Sequence, residues 1–362
     1  MDKTKSLAQT IRESIAAGAY RPGASLPSER EYQDRFGLSR TTVRRAIQTL
    51  VDEGRVVRRA GSGTFVAGTG APRGVAFEDA PTMSLIIPTF SNPLYTEMID
   101  GVEQEARRYG LRLLTSQTGY SVEGESLQLA AMAEDETIKG AIVVPSTVER
   151  ATAGALSFVR AGKPLIYLGR WPDGIAADGV TANYLTAARV AVEHLIGLGH
   201  RDIAYVEGAP HLPGFSLLDG YQAALRTARL PQRRDLVRIL DLASEEAGKA
   251  AVEAMVAEGV AFTAVFARND VTAVGVVQAL RAAGLRIPGD VSVASVNDSL
   301  LARSMSPALS SVNIFSEVLG RQAFRLLRER MERIYEGPPV RILLEPSLIV
   351  RGSTAAPGVK PE

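Results

Sequence analysis

The sequence contains no cysteine, which excludes disulfides, Cys-zinc sites and thiol chemistry. Its three histidines, His194, His200 and His211, are scattered and show no metal-ligand spacing, so no metal centre is expected. No apolar run reaches the roughly 18 residues that a membrane span needs. The start, Met1-Asp2-Lys3-Thr4-Lys5-Ser6, leads into an amphipathic stretch rather than the apolar core of a signal peptide. A cytoplasmic protein with no membrane partner is the expectation. The signatures of common enzymes are missing too. The first strand-like run is followed by Pro88-Thr89-Phe90-Ser91-Asn92-Pro93 and not by Gly-x-Gly-x-x-Gly. There is no phosphate-binding Gly-x-x-x-x-Gly-Lys-Ser/Thr, no Gly-x-Ser-x-Gly and no His-Glu-x-x-His. We therefore expect no catalytic residues and no cofactor.

What is present is a divided charge. The 362 residues carry a net charge of only +1. Residues 1–68 hold twelve Lys and Arg against seven Asp and Glu, a net +5, which leaves −4 for the remainder. A basic head on a mildly acidic body points to an anionic partner for the head alone. A length of 362 fits two or three domains. The Gly-, Ala- and Pro-rich segment between Gly68 and Pro81 reads as a linker. The expected organisation is a head over 1–68, a linker over 69–81, a body over 82–352 and a disordered tail over 353–362.

In the head, Leu7, Ile11 and Ile15 fall four apart and mark one face of a first helix. Ser28-Glu29-Arg30-Glu31 has the form of a capping box, so a second helix starts there and ends at Gly37. Ser39 caps a third helix, whose Val43, Ala46, Ile47, Leu50 and Val51 form a single apolar stripe. Thr41, Arg45 and Gln48 lie on its opposite face. Two β-prone runs around Ala60-Gly61-Ser62-Gly63 follow and read as a hairpin. Three helices and a hairpin make a winged helix-turn-helix. The third helix presents hydroxyls, guanidinium forks and helical N–H groups near its N-terminus, which suit phosphates and guanine edges of double-stranded DNA.

Leu26-Pro27-Ser28-Glu29-Arg30-Glu31, Phe36-Gly37-Leu38-Ser39-Arg40-Thr41-Thr42-Val43-Arg44 and Gly61-Ser62-Gly63-Thr64-Phe65-Val66 resemble the signature blocks of the GntR family of bacterial DNA-binding domains. The resemblance implies DNA contacts at Arg30, Ser39, Arg40, Thr41, Thr42, Arg44 and Gly61.

The body alternates strand-like runs such as Leu85-Ile86-Ile87, Ala141-Ile142-Val143-Val144, Ala264-Val265-Phe266 and Val291-Ser292-Val293 with helical stretches. That alternation argues for βαβ units and parallel sheets, and for an α/β fold in two lobes. Ligands bind beyond the carboxyl ends of such strands. The residues there include Phe90-Ser91, Pro145-Ser146, Arg170-Trp171, Asn269-Asp270 and Asn297-Asp298, a set suited to a small polar ligand. Several of them also suit helix caps.

The body is similar to the effector domain of LacI/GalR repressors, which is itself similar to periplasmic sugar-binding proteins. The likeness runs through Ser91-Asn92-Pro93-Leu94-Tyr95, Gly140 to Ser146, Ala191 to Ala204, Asn269 to Gly275 and Ile287 to Val293. It implies two lobes, about 82–180 with 312–335 and about 183–308 with 338–352, and an effector between them. Expected effector contacts are Phe90, Ser91, Ser146, Arg170, Trp171, Asn183, Asn269, Asp270 and Asn297. Three positions depart from the family: Leu217 replaces an arginine, Asn297-Asp298 replaces a pair of acids, and Ala182 precedes Asn183-Tyr184 in place of an aspartate. A GntR-type head on a LacI-type body resembles the arabinose-responsive repressors.

The resulting expectation is a homodimeric transcriptional regulator, read as a repressor, that binds a pseudo-palindromic operator and responds to a sugar or sugar derivative. Two other classes are weighed against it. One is a solute-binding protein without a DNA role. The other is a pyridoxal-phosphate enzyme fused to a GntR head, for which Lys139, Lys163 and Lys249 are the body lysines before the tail, none in a recognisable cofactor setting.

Overall fold

A computed structural model describes residues 3–16, 20, 24–52, 56–59, 63–66, 80–207, 216–240 and 243–358. The chain divides into two compact units, residues 1–78 and 79–362.

The head contains α1 (Lys3–Ala16), α2 (Glu29–Phe36), α3 (Arg40–Asp52), β1 (Val56–Arg59) and β2 (Gly63–Val66). The capping box forms as the sequence dictates: the Glu31 N–H donates to Ser28 Oγ at 3.2 Å, and the Ser28 N–H donates to the Glu31 carboxylate at 2.7 Å. Gly37 closes α2 in the left-handed conformation at φ 63°. Val43, Ala46, Ile47 and Leu50 are fully buried and pack with Leu7, Ile11, Ile15 and Leu26 in one small core. Antiparallel β1 and β2 make the wing; its tip, Gly61 included, lies outside the described residues.

The body opens with β3 (Thr82–Ile87), α4 (Pro93–Arg108), β4 (Arg112–Gln117), α5 (Val122–Glu134), β5 (Ile138–Val143), α6 (Ala153–Arg160), β6 (Leu165–Leu168) and β7 (Asp178–Ala182). It continues with α7 (Tyr184–Gly197), β8 (Ile203–Glu207), α8 (Leu217–Thr227), β9 (Val237–Ile239), α9 (Glu245–Ala257), β10 (Ala264–Ala267), α10 (Asp270–Ala282), β11 (Ser292–Asn297), α11 (Leu300–Ser304) and β12 (Ser310–Asn313). It closes with α12 (Ser316–Met331), β13 (Arg341–Leu344) and β14 (Ser347–Ile349). Two six-stranded sheets result, ordered β13-β7-β6-β5-β3-β4 and β14-β12-β11-β10-β8-β9. All pairings are parallel except that of β14 with β12. Every residue of β3 is buried, as in strands covered by helices on both faces, whereas edge strand β4 is largely exposed.

The chain crosses between sheets three times, after β7, after β12 and after β13. This corrects the lobe boundaries read from sequence. Strand β12 pairs with β11 and so belongs to the second lobe, while β13 pairs with β7 in the first. The two last strands are only four and three residues long, too short to show their partner through their pattern.

Close helix packing is set by small residues. Helices α4 and α12 meet at Gly101 and Gly320. A Cβ on Gly101 would overlap the Glu317 carbonyl, and one on Gly320 would overlap the Met98 carbonyl. Because α12 follows the second crossing, this contact anchors that crossing to the first lobe.

The start of the expected disordered tail is ordered. Ser353 is completely buried, donating to the Val293 carbonyl at 2.6 Å and accepting from the Ser310 N–H at 2.8 Å. The clamp includes His200: Nε2 donates to the Ala355 carbonyl at 2.9 Å, and Nδ1 accepts from the Thr263 hydroxyl at 2.9 Å. Residues 353–355 fill the amino ends of the second sheet, which low local hydrophobicity concealed. Residues 359–362 lie outside the described residues.

Gly101→Ala should destabilise the body by about 1–3 kcal/mol through overpacking. Gly197→Ala, whose Cβ would meet nothing within 4 Å, should be neutral or stabilising by up to about 1 kcal/mol; thermal melting of both separates the contact from helix propensity. Burial holds the His200 imidazole below its ordinary value. Its contribution to stability is therefore complete above the unfolded value of about 6.5 and is lost as pH falls through that value toward the folded one. The melting temperature should drop as pH falls below about 6.5, and His200→Gln should flatten that slope.

Candidate DNA interface and ligand cleft

The head's exposed surface centres on the N-terminal turn of α3. Ser39 Oγ accepts from the Thr42 N–H at 3.3 Å and lies 2.9 Å from Thr42 Oγ1, so both hydroxyls first serve to cap the helix. Thr41 and Arg44 are exposed, and Arg40 is 76% exposed with its Nε 3.8 Å from Glu29. An ion pair that long and exposed is weak and is easily exchanged for a phosphate. Arg45 and Gln48 are exposed on the same helix and extend the surface. Arg30 sits in the first turn of α2, with its side chain outside the described residues, as are those of Arg58 and Arg59.

In the body, the candidate ligand residues follow the carboxyl ends of parallel strands in the two sheets. Phe90, just after β3, is 46% exposed, and its N–H donates to Gln117 Oε1 at 3.0 Å. Ser91 donates its N–H to Thr89. Ser146 follows β5; its N–H donates to the buried Glu125 carboxylate at 2.5 Å and its Oγ lies 3.0 Å from Thr118 Oγ1. Arg170, after β6, places Nε and Nη2 on the Pro145 carbonyl at 3.0 and 2.8 Å. These four residues stand after β3, β5 and β6 at the strand ends of the first lobe.

Trp171 does not join them. Its indole lies against Gly179 of β7, under the Arg341 guanidinium at 4.5 Å, and packs with the buried residues beneath α5 and α6. Gly169 has a positive φ of 81°, and past it Arg170 bonds the Pro145 loop while Trp171 covers Gly179; the expected effector contact at Trp171 is thereby corrected.

Asp270 is also corrected. It is 1% exposed and accepts four hydrogen bonds: from Ser295 Oγ at 2.6 Å, Ser311 Oγ at 2.7 Å, and the Ser299 N–H and Oγ, both at 2.7 Å. No acceptor site remains for an effector. Burial pushes this carboxyl upward and the four donors pull it back. Its role is to tie the ends of β11 and β12 to α10. Asn269 is the cap of that helix, its Oδ1 accepting from the Thr272 N–H at 2.8 Å. Asn183 caps α7 through Thr186 and donates to Glu345 at 3.0 Å, which links the first and third crossings.

Further polar residues stand at the strand ends of the second lobe; Arg268 and Asp298 follow strands in the sequence, whereas Glu207, Asn313 and Arg351 were not read from it. Glu207 ends β8 and takes hydrogen bonds from Arg268 and from the Tyr205 hydroxyl. Asp298 receives the Asn313 amide at 3.2 Å and pairs with Arg351 at 2.6 Å, though off the axis of a hydrogen bond. Asn297, Asp298 and Phe315 hold positive φ values of 111°, 53° and 58°. Non-glycine residues rarely adopt this conformation, and such strain gathers at ligand sites and hinges. Beside Phe315, at the second crossing, a cavity of about 240 Å³ is lined by Glu97, Asp100, Asp298, Arg303, Asn313, Phe315, Ser316, Glu317 and Val318. Glu97 of the first lobe and Arg303 of the second pair across it at 3.0 Å. The sequence offered one signal for part of this set: Arg268 and Asp298 directly follow strands.

A winged helix with an exposed, basic α3 N-terminus, carried with a two-sheet body crossed three times, defines a ligand-responsive DNA-binding regulator. Residues 3–66 match the gntR family of bacterial regulatory proteins, and residues 192–354 match a periplasmic binding protein-like domain. The chain is a transcriptional regulator that combines a GntR-type head with a LacI-like effector body. It is 27% identical to an arabinose metabolism transcriptional repressor of Geobacillus stearothermophilus, over 98% of each chain. It is 28% identical to the transcriptional regulator CelR of Thermobifida fusca, over 88% of this chain and 95% of the relative. The solved structure of a CelR–cellobiose complex superposes with a TM-score of 0.69 at 26% identity, covering 87% of this chain and 91% of the other. These relatives are regulators and not enzymes, and the GntR match removes the reading of a solute-binding protein without a DNA role.

Asp270→Asn should cost about 1–3 kcal/mol of stability, because it replaces an acceptor by a donor inside a network of hydroxyl donors. Thermal melting measures the loss. An undiminished melting temperature would contradict the network.

Proposed function

We propose that the protein is a cytoplasmic, homodimeric repressor whose operator affinity is set by a sugar or sugar derivative bound between the lobes. The observation that carries this reading is the α3 N-terminus. Its hydroxyls cap the helix while Arg40, Thr41 and Arg44 stand exposed beside the first helical N–H groups, a surface that suits phosphates and guanine edges. Arg30, Ser39, Thr42 and Gly61 belong to the same proposed interface. Two copies related by a two-fold axis would read two half-sites of a pseudo-palindrome. A DNA target supports the cytoplasmic setting. No helix among the described residues is long and apolar enough to cross a membrane.

The effector side rests on the cleft, where Phe90, Ser91, Ser146, Arg170, Asn269 and Asn297 occupy strand ends. The similar proteins support a carbohydrate ligand: one is named for arabinose metabolism and another was solved with cellobiose. The effector acts by preferring one arrangement of the lobes, which shifts a population rather than pushing on the head.

Selection of genomic fragments by the full-length protein should yield a pseudo-palindromic site. Arg44→Ala should weaken that site by about 1–3 kcal/mol if Arg44 reads a base, whereas loss of a phosphate contact would instead reduce the salt slope by about one. Sedimentation should show a dimer at micromolar concentration. Failure to enrich any specific sequence would overturn the regulator reading.

A further inference from the structure

The peptide group that joins Pro145 to Ser146 is held at its two ends by opposite charges. Its carbonyl accepts from Arg170 Nε and Nη2 at 3.0 and 2.8 Å, and its N–H donates to the Glu125 carboxylate at 2.5 Å. A peptide is a dipole, negative at oxygen and positive at hydrogen. Guanidinium and carboxylate each occupy the end they prefer, and each polarises the group in favour of the other. Arg170 follows β6 and Glu125 lies in the first turn of α5, so two separate elements grip the turn after β5.

Glu125 is 1% exposed. A buried carboxylate is costly unless it is paired and hydrogen-bonded. Burial raises this one above its ordinary value, and the hydrogen bonds from Ser146 and the charge of Arg170 act against that. A helix N-terminus also favours an anion. Helix α5 is itself fixed on two sides. Gln128 accepts from the Ser116 hydroxyl at 2.7 Å and donates to the Gln117 carbonyl at 3.0 Å, at the end of β4. On the other side the Gly154 N–H of α6 donates to Ser126 Oγ at 2.9 Å, and a Cβ on Gly154 would overlap the Ser126 carbonyl. A helix held this closely delivers its carboxylate to one place.

Ser146 is half-buried, and its Oγ lies 3.0 Å from Thr118 Oγ1. Each hydroxyl has one proton and two lone pairs, so the pair keeps acceptor sites for a hydroxyl of a ligand. The backbone that aims Ser146 Oγ cannot rotate without breaking a charge-assisted hydrogen bond at one end of the peptide or the other.

We propose that Glu125 is a positioning residue: acting through the Pro145–Ser146 peptide, opposite Arg170, it sets the Ser146 hydroxyl for the effector. This assignment rests on the reading above in which Ser146 contacts a carbohydrate effector.

Calorimetry of the full-length protein with arabinose, ribose and cellobiose tests it. The sugar that binds should lose about tenfold in affinity on Ser146→Ala, and about fivefold or more on Glu125→Gln, whose amide keeps the shape without the charge. Glu125→Asp, with the charge on a shorter arm, should weaken binding likewise and serves where the amide variant does not fold. Thermal melting without ligand reports folding. In the Ser146→Ala protein, the Glu125 substitution should change affinity by less than about twofold, because its effect passes through the hydroxyl that is gone. Equal losses with and without that hydroxyl would mark the carboxylate as purely structural and overturn the positioning role. Ser146→Ala binding within about twofold of wild type would overturn it as well. If none of the three sugars binds, the carbohydrate reading falls and the role of Glu125 falls with it. Absence of sequence-specific DNA binding removes the regulator and leaves the sugar measurements standing.

Discussion

Three chain crossings between two parallel sheets are the constraint on which the body depends. The sheets grow from interleaved pieces of sequence: β13 returns to the first sheet and β14 immediately joins the second. Neither lobe can form its complete sheet from one continuous segment. Relative motion of the lobes must therefore bend all three connections together. Hydrogen bonds and strained residues collect there. Asn183 and Glu345 tie the first crossing to the third, and Phe315 begins α12 in a left-handed conformation at the second. A hinge built from a few residues that absorb dihedral change is a common device for domain closure.

On either side of the hinge, packing leaves little freedom. Helix α12 is locked onto α4 by glycines that permit backbone contact, so the second crossing has one end fixed to the first lobe. On the second lobe, Asp270 and its serines fix the ends of β11 and β12, and the clamp around Ser353 and His200 fixes the opposite ends of the strands. Two stiff bodies joined by a strained hinge respond to a ligand by changing their arrangement rather than by deforming internally. Glu97 and Arg303 pair across the lobes, and closure or opening must preserve or break that contact.

Much of this was legible in the sequence, for identifiable reasons. The cap at Ser28, the stripe from Val43 to Leu50 and the apolar strands are local patterns, and local patterns are written in consecutive residues. That Phe90, Ser146 and Arg170 follow parallel strands was legible because the strands are continuous apolar runs. What escaped depends on distant partners. Asp270 reads as an exposed anchor until serines 25 to 41 residues downstream are brought to it. Trp171 reads as an effector contact until Gly179 provides the flat surface it covers. The crossings escaped because β13 and β14 are too brief to carry a pattern, and positive φ at Phe315 has no signature in a phenylalanine. Ser353 was missed because a buried serine in a polar tail looks like an exposed one.

In the proposed regulator, effector binding and DNA binding are thermodynamically linked through the arrangement of the lobes. Linkage is reciprocal: if effector changes operator affinity by some factor, operator must change effector affinity by the same factor. The direct measurement is effector affinity of the full-length protein, alone and with saturating operator. The account predicts a shift in the effector dissociation constant equal to the shift that saturating effector produces in operator affinity. An effector dissociation constant that is identical with and without operator would contradict it.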